Sequence, residues 1–245
     1  MKLLVVICVF VVAANAIKLP SNFKTCNRKQ ANFRGCLLEA ARFGVTQLNR
    51  PYKELKMISL DPLVIPKIEA SVDAQLLNIS SELTDCKFFN ILQLDIQKFD
   101  VDFEAKTIQL SASWLELKSE CFYKMSGQIL KHDINEGTGI IKTTFKNFKW
   151  TFDLAFEEVK KRNKTYVKAV TGRFDGKPEF LSMQFDSPEK GDQELIDRVT
   201  KAINDNWNDL FDDVKGLYFE RVTQTWFQIM NGWFSRLSLE EAFDN

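Results

Sequence analysis

His132 is the only histidine in the chain, so a nucleophile activated by histidine would have to use it. The sequence has no Gly-x-Ser-x-Gly turn to supply a serine partner, no His-Glu-x-x-His motif and no glycine-rich phosphate loop. Lys131 and Asp133 flank the histidine, which favours a solvated turn residue. We therefore predict a protein without a catalytic site, metal or cofactor.

Adjacent carboxylates are the other residues that could do acid–base chemistry. They occur at Glu157-Glu158, Asp212-Asp213 and Glu240-Glu241. Each pair lies in a polar stretch or on the outer side of a predicted helix, where carboxylates are normally solvated. Nothing in their spacing indicates the paired acids of a glycosidase.

The cysteines predict disulfides. Cys26 and Cys36 would close a short loop, and Cys86 and Cys121 flank a hairpin whose turn is predicted at residues 103–106. The midpoint of the second pair falls in that turn, so the two cysteines should face each other on paired strands. Metal ligation by these four is the alternative, but no Cys-x-x-Cys spacing occurs.

The N-terminus predicts export. Lys2 precedes an apolar run over residues 3–12, and Ala14-Asn15-Ala16 fits a signal-peptidase site. Residues 1–16 are therefore predicted to be a signal peptide, and residues 17–245 a single secreted domain. The fifth cysteine, Cys8, would leave with the signal. Asn78 and Asn163 each begin a glycosylation sequon, as expected of an extracellular protein.

The composition predicts a large apolar interior. It gives no indication of a highly charged partner such as nucleic acid. The chain has 21 phenylalanines, and its 33 basic residues balance 33 acidic ones. No block of lysine or arginine indicates binding to nucleic acid or an anionic membrane. No stretch after the signal is apolar for long enough to insert stably in a bilayer.

Alternating apolar residues predict strands from Phe88 to Phe185. The alternation changes phase three times, as a β-bulge would cause, and repeated bulges bend a sheet. The phase changes separate residues 92–96 from 99–103, 108–114 from 115–117, and 141–145 from 148–156. We expect long strands that curl around another element.

Helical spacing marks both ends of the mature chain. Residues 26–48 predict a short helix, which Leu60-Asp61-Pro62-Leu63 separates from the strands. Apolar residues recur every three or four positions over residues 192–233, predicting a helix of roughly 60 Å with Asp192 as N-cap and a bend at Gly216. The curved sheet would wrap along this helix.

These residues, in this order, resemble the takeout and juvenile-hormone-binding family of insect secreted proteins. The resemblance covers nearly the whole mature chain. It rests on Cys26 with Cys36, Leu60-Asp61-Pro62-Leu63, Tyr123 with Gly127-Gln128-Ile129-Leu130, Gly137-Thr138-Gly139, and Asn204-Asp205-Asn206-Trp207. It implies an α+β fold in which a strongly curved antiparallel sheet wraps a long C-terminal helix and encloses an apolar tunnel (a tubular lipid-binding-like super-roll).

The resemblance also implies a carrier of a small elongated hydrophobic ligand, such as juvenile hormone, another terpenoid or a fatty-acid-like molecule. Some members of the family are linked to feeding, circadian rhythm or chemosensation, so a receptor that the sequence does not identify is kept open as a second partner. The residues predicted to line the tunnel are Phe148, Trp150, Phe152 and Leu154 on a strand and Trp207, Phe211, Val214 and Trp226 on the helix. The same residues could instead pack against one another as core, because a tunnel wall and a core share one composition.

Two other functions compete with the carrier. One is a membrane-active defence protein of the bactericidal/permeability-increasing type, against which the near-neutral charge argues. The other is a lipid-ester hydrolase, which would have to use His132. Vesicle binding would support the first, and loss of ester turnover in His132→Ala would support the second.

Overall fold

A computed structural model describes residues 19–130, 132–186 and 193–243. The predicted signal peptide and the Asp192 cap lie outside these residues. In the described part of the chain, seven antiparallel strands form one curled sheet, and the long helices pack on it. The strands are β1 (Leu63–Asp73), β2 (Leu77–Phe89), β3 (Leu94–Asp102), β4 (Thr107–Ile129), β5 (His132–Lys161), β6 (Lys164–Lys177) and β7 (Phe180–Asp186). The helices are α1 (Phe33–Thr46), α2 (Gln193–Asp205), α3 (Trp207–Phe234) and α4 (Leu239–Phe243), with 3-10 turns at Gln47–Asn49, Lys53–Leu55 and Ile91–Gln93.

The sheet is built around two very long strands. β4 has 23 residues and β5 has 30, and they pair along almost their whole length. The strand order is β1-β2-β4-β5-β6, with β3 pairing β4 beyond the end of β2 and β7 pairing β5. Each long strand therefore has two shorter neighbours in succession along one edge.

The predicted phase changes are present as irregularities in the strands. The first is a register shift between β3 and β4 at Ile96 and Lys98. The other two phase changes lie opposite each other on β4 and β5, where Trp114 pairs with Phe148. The next buried pair is Leu117 with Phe145, three residues further along each strand, so on both strands the alternation of inward-facing side chains shifts by one residue. Because both strands change phase together, the register continues across the bend. Leu115 lies at the bend itself and is 78% exposed.

Both predicted disulfides are present. Cys26 bonds to Cys36, and Cys86 bonds to Cys121 with their Cα atoms 4.1 Å apart. The second prediction holds because β2 and β3 run one after the other along β4, so that together they form the first arm of one interrupted hairpin. The turn after β3 is the centre of this hairpin, and it lies midway in sequence between the two cysteines.

The C-terminal helical region is long, but it breaks where the sequence did not predict it. Gly216, where the sequence predicts a bend, lies inside the continuous helix α3, and the helical region is interrupted instead at Asn206 (φ −117°, ψ 19°). The reason is tertiary: the Asn204 side chain donates to Met183 O and accepts from Met183 N, both at 2.8 Å, which fixes the end of α2 on strand β7. Asn231 makes the same pair of bonds to Ala169, fixing α3 on β6.

Helix α1 begins at Phe33 rather than near Cys26. The preceding segment is held to α1 by the Cys26–Cys36 bond. No helix among the described residues is both long and apolar enough to cross a membrane.

The interior is divided into two apolar clusters. The second cluster contains the buried Cys86–Cys121 bond, Tyr123 and the buried face of α2, including Val199 and Ile203. The first and larger cluster contains the inward residues of β3 to β6 and is covered by α1, α3 and α4. The candidate site lies in the first cluster.

Candidate functional site

A deep cavity of about 360 Å³, partly open to solvent, lies within the first cluster. Four parts of the chain surround it: α1 with the loop to β1, the concave face of β3 to β6, the C-terminal half of α3, and the segment through α4. A cavity of this size is within the range that proteins use for small ligands. The chief lining residues are Phe23, Ala41, Val45, Leu48, Met57, Leu60, Ile96, Phe99, Leu110, Trp114, Trp150, Phe152, Phe156, Val167, Phe174, Trp226, Met230, Trp233, Leu237 and Phe243.

The lining side chains are all apolar, and glycine is the only other residue type among them. The polar side-chain groups that these residues carry are indole N–H donors. Trp114 donates to Ile91 O at 3.1 Å, whereas Nε1 of Trp150 and Nε1 of Trp233 are buried without a hydrogen-bond partner. The residues of the wall thus bring no charge and no side-chain oxygen acceptor.

The sheet side of the wall is an aromatic surface. Trp150 on β5 lies between Trp114 on β4 and Phe174 on β6, with ring centroids 5.1 Å away on each side. On the neighbouring strands Trp150 pairs with Ala112 and Gly176. Both of these residues are small, so they leave space beside Trp150 for its indole. A Cβ on Gly176 would lie 2.8 Å from the Trp150 Cβ, so no larger residue fits there.

The helix side of the wall comes from one face of α3. Trp226, Met230 and Trp233 follow one another at intervals of four and three residues, which places them on one stripe. Asn231 holds this part of α3 to the Ala169 backbone of β6. The wall is therefore tied to the sheet by hydrogen bonds that lie beside the cavity.

One end of the cavity is closed by α4, which supplies Leu239, Ala242 and Phe243. Phe243 packs edge-on against both Phe33 and Phe103, at 5.9 and 5.5 Å. The helix begins with a capping box, in which the Glu241 side chain accepts from Ser238 N and Ser238 Oγ accepts from Glu241 N. Aromatic contacts and a local cap together hold this short helix across the cavity end.

Two carboxylates connect α4 to the start of β6. Glu240 accepts a hydrogen bond from Thr165 N, and Glu241 pairs with Lys164 at 2.5 Å. Burial opposes ionisation of Glu241, but the bonds from Lys164 and Ser238 outweigh it, so the pKa of this carboxyl lies below its ordinary value. The pKa of Glu240 is lowered in the same way, because the donors at Thr165 and Ser238 outweigh its burial.

Three of the eight residues predicted to bind ligand line this cavity: Trp150, Phe152 and Trp226. The structure brings these three together, and ligand contact by them remains a prediction.

The other five predicted residues are not among the cavity lining. Phe148 stacks on Phe145, Phe211 packs on Phe219, and Trp207 packs edge-on against Phe180. Leu154 is 2% exposed in the packed part of the first cluster, and Val214 is half-buried on α3. Phe148, Leu154 and Phe211 lie where rings from the sheet and from the first half of α3 fill the interior, whereas Trp207 and Val214 are only half-buried. We therefore do not carry these five residues forward as ligand contacts.

Sequence reasoning missed the two ends of the wall. Ala41, Val45 and Leu48 share one face of the predicted N-terminal helical segment, a signal that the sequence did contain. Leu237, Leu239 and Phe243 follow the last predicted helix, and the Ser238–Glu241 capping box was the signal for a further helix there.

The remaining predicted positions lie elsewhere on the molecule. Asn78 and Asn163 are both exposed, which agrees with the geometry that glycosylation requires, and the modification itself stays a prediction. His132 is half-buried at the start of β5, opposite Ile129, and is not a lining residue of the cavity. No group of three or more potential metal ligands is found in the described ranges.

Comparison with known proteins gives one matching family and solved structures with the same fold. The sequence model of the haemolymph juvenile hormone binding protein family matches residues 3–244. The crystal structure of Takeout 1 from Epiphyas postvittana superposes with a TM-score of 0.76 at 16% identity, over 91% of this chain and 100% of that one. At this identity the likeness shows the fold.

Two further comparisons add no argument. Lipopolysaccharide binding protein aligns with a TM-score of 0.32 at 13% identity, over 80% of this chain and 39% of that one. No curated protein sequence matches the chain.

Proposed function

Because the chain belongs to the haemolymph juvenile hormone binding protein family, we propose that it carries a small, elongated, apolar molecule in the cavity between the sheet and α3. The observation that carries this proposal is the apolar lining of a cavity of about 360 Å³. Ordinary cores are packed without voids of this size, so a cavity with apolar walls has a ligand as its natural occupant.

The driving force is burial of apolar surface. At about 25 cal/mol per Å², enclosing roughly 400 Å² of a ligand contributes about 10 kcal/mol before entropic losses. Micromolar binding requires about 8 kcal/mol, so such a ligand needs no charged contact inside the cavity.

The ligand classes that fit are juvenile hormone, other terpenoids and fatty-acid-like chains. Each has a narrow apolar body that suits an aromatic wall, and each has few polar atoms. The indole N–H groups of Trp150 and Trp233 lack partners, but both nitrogens are buried and neither is exposed in the cavity. Residues 17–245 would act outside the cell as a binding protein rather than an enzyme, and a receptor would be a second partner.

Titration with N-phenyl-1-naphthylamine, a neutral apolar fluorophore, tests this function. A carrier binds the fluorophore at micromolar concentration or below, and terpenoid esters or long-chain alcohols displace it. Mass spectrometry of an organic extract from protein secreted by insect cells then identifies the natural class. Absence of both fluorophore binding and co-purified lipid would contradict the proposal.

A further inference from the structure

A shallow depression lies on the surface beside the cavity, in the segment between α1 and β1. Its lining is mainly apolar and includes Ile58 and Val64, which are 38% and 48% exposed. The complete lining is Pro51, Lys53, Lys56, Met57, Ile58, Ser59, Pro62 and Val64.

Met57 is shared by the depression and the cavity. The wall between the two voids is therefore one residue thick at this point. The Met57 backbone is fixed by two hydrogen bonds with Tyr52, at 2.9 and 3.1 Å, whereas its side chain is an unbranched thioether with several accessible rotamers. Rotation of this one side chain would change the separation between the two voids without movement of the backbone.

Lys53 and Lys56 are the only ionisable residues in the lining of the depression. Lys53 begins the Lys53–Leu55 3-10 turn and Lys56 follows it in a left-handed conformation (φ 54°), and both line the depression. Both are exposed, and neither has an ion-pair partner among the residues that the structure describes.

Other charges in this segment leave the depression positive. Glu54 and Asp61 are exposed but do not line it. Arg50 donates to Tyr52 Oη and lies over its ring, and with the Asn22 donor it lowers the pKa of that phenol. Lys56 lies beside Gly232, immediately before the cavity residue Trp233, so this lysine is close to the cavity.

An anionic head group could not enter the cavity, because its wall has no cation and an unpaired buried charge is very costly. We propose that the depression is a head-group site for long-chain carboxylates, with the carboxylate at Lys53 and Lys56 and the chain passing Met57 into the cavity. This inference rests on the proposed function, and it adds an anionic amphiphile to the apolar ligands already considered.

Competition between an acid and its ester tests the site. The assay measures displacement of N-phenyl-1-naphthylamine from the full mature protein by tetradecanoic acid and, separately, by methyl tetradecanoate, at pH 8 and low salt. Replacing both lysines (Lys53→Gln with Lys56→Gln) should weaken binding of the acid about fivefold, the effect expected for loss of two exposed ion pairs. The affinity for the ester should stay within about twofold of its original value. Added salt should weaken binding of the acid but not of the ester.

A matched control removes two lysines elsewhere. Lys87 and Lys160 are exposed and line neither void. Lys87→Gln with Lys160→Gln changes the net charge equally and should leave both ligands unaffected. Equal loss for acid and ester, or equal loss of acid binding in the control, would overturn the head-group site. Failure of the unaltered protein to bind fluorophore, acid and ester alike would instead overturn the proposed function.

A second arm tests the path past Met57. Met57→Ala should speed association of tetradecanoic acid in stopped-flow measurements, because the side chain that lies between the two voids is shortened. Met230→Ala is the control, since Met230 lines the cavity but not the depression. Equal association rates in these two variants would contradict passage at Met57.

Discussion

The indole of Trp150 stacks on the phenyl ring of Phe174, with centroids 5.1 Å apart and ring planes at 23°. This contact joins β5 to β6, and Phe174 in turn lies 5.1 Å from Phe219 on α3. Phe174 therefore connects the sheet, the helix and the cavity wall through one side chain.

Phe174→Ala should lower the free energy of unfolding by about 3–5 kcal/mol, the usual range for removal of a buried aromatic ring. Phe122→Ala is the matched control, because Phe122 is 52% exposed and should change stability by less than about 0.5 kcal/mol. Urea denaturation measures both. Similar losses in the two variants would contradict a structural role for the Trp150–Phe174 contact.

The two disulfides should differ in what they contribute. The chain-entropy relation gives about 4 kcal/mol for the Cys86–Cys121 bond, with a sequence separation of 35, and about 3 kcal/mol for Cys26–Cys36, with a separation of 10. Urea denaturation of the Cys86→Ala/Cys121→Ala and Cys26→Ala/Cys36→Ala proteins compares them. A larger loss from the shorter loop would show that packing around α1 dominates.

The attachment of α4 should weaken in acid. Because the pKa values of Glu240 and Glu241 are lowered in the folded state, the carboxylates stabilise it fully above the ordinary glutamate pKa of about 4.3. This contribution is lost as the pH falls through the lowered values. Glu241→Gln should therefore destabilise the protein at pH 7 and have a progressively smaller effect as the pH falls below about 4.

Denaturation midpoints at several pH values check this prediction. Glu104→Gln is the control, since Glu104 is exposed in the turn between β3 and β4. A Glu241→Gln effect that does not decrease in acid would contradict the ionic attachment of α4.

The sequence predicted those features that depend on local spacing. The facing of Cys86 and Cys121 follows from their equal distance from one turn, and the bend at Trp114 and Phe148 follows from a change of phase on each strand. Both are consequences of the two-residue period of a strand.

Features that depend on distant partners could not be predicted. The helix breaks at Asn206 because Asn204 binds the backbone of β7, whereas Gly216, the residue with the weaker helix propensity, has open space around it. Trp226 lines the cavity and Phe211 packs as core, yet both follow the same helical spacing. Only the position of each turn of α3 along the curved sheet distinguishes them.

Filling the cavity tests the carrier account most directly. Val167 on β6 lines the cavity at 9% exposure, and Val170 on the same strand is 47% exposed. Val167→Phe should occupy ligand space and weaken N-phenyl-1-naphthylamine binding by at least about tenfold, equal to about 1.4 kcal/mol, whereas Val170→Phe should bind as the unaltered protein does. Equal, undiminished binding in two folded variants would contradict a ligand site between the sheet and α3.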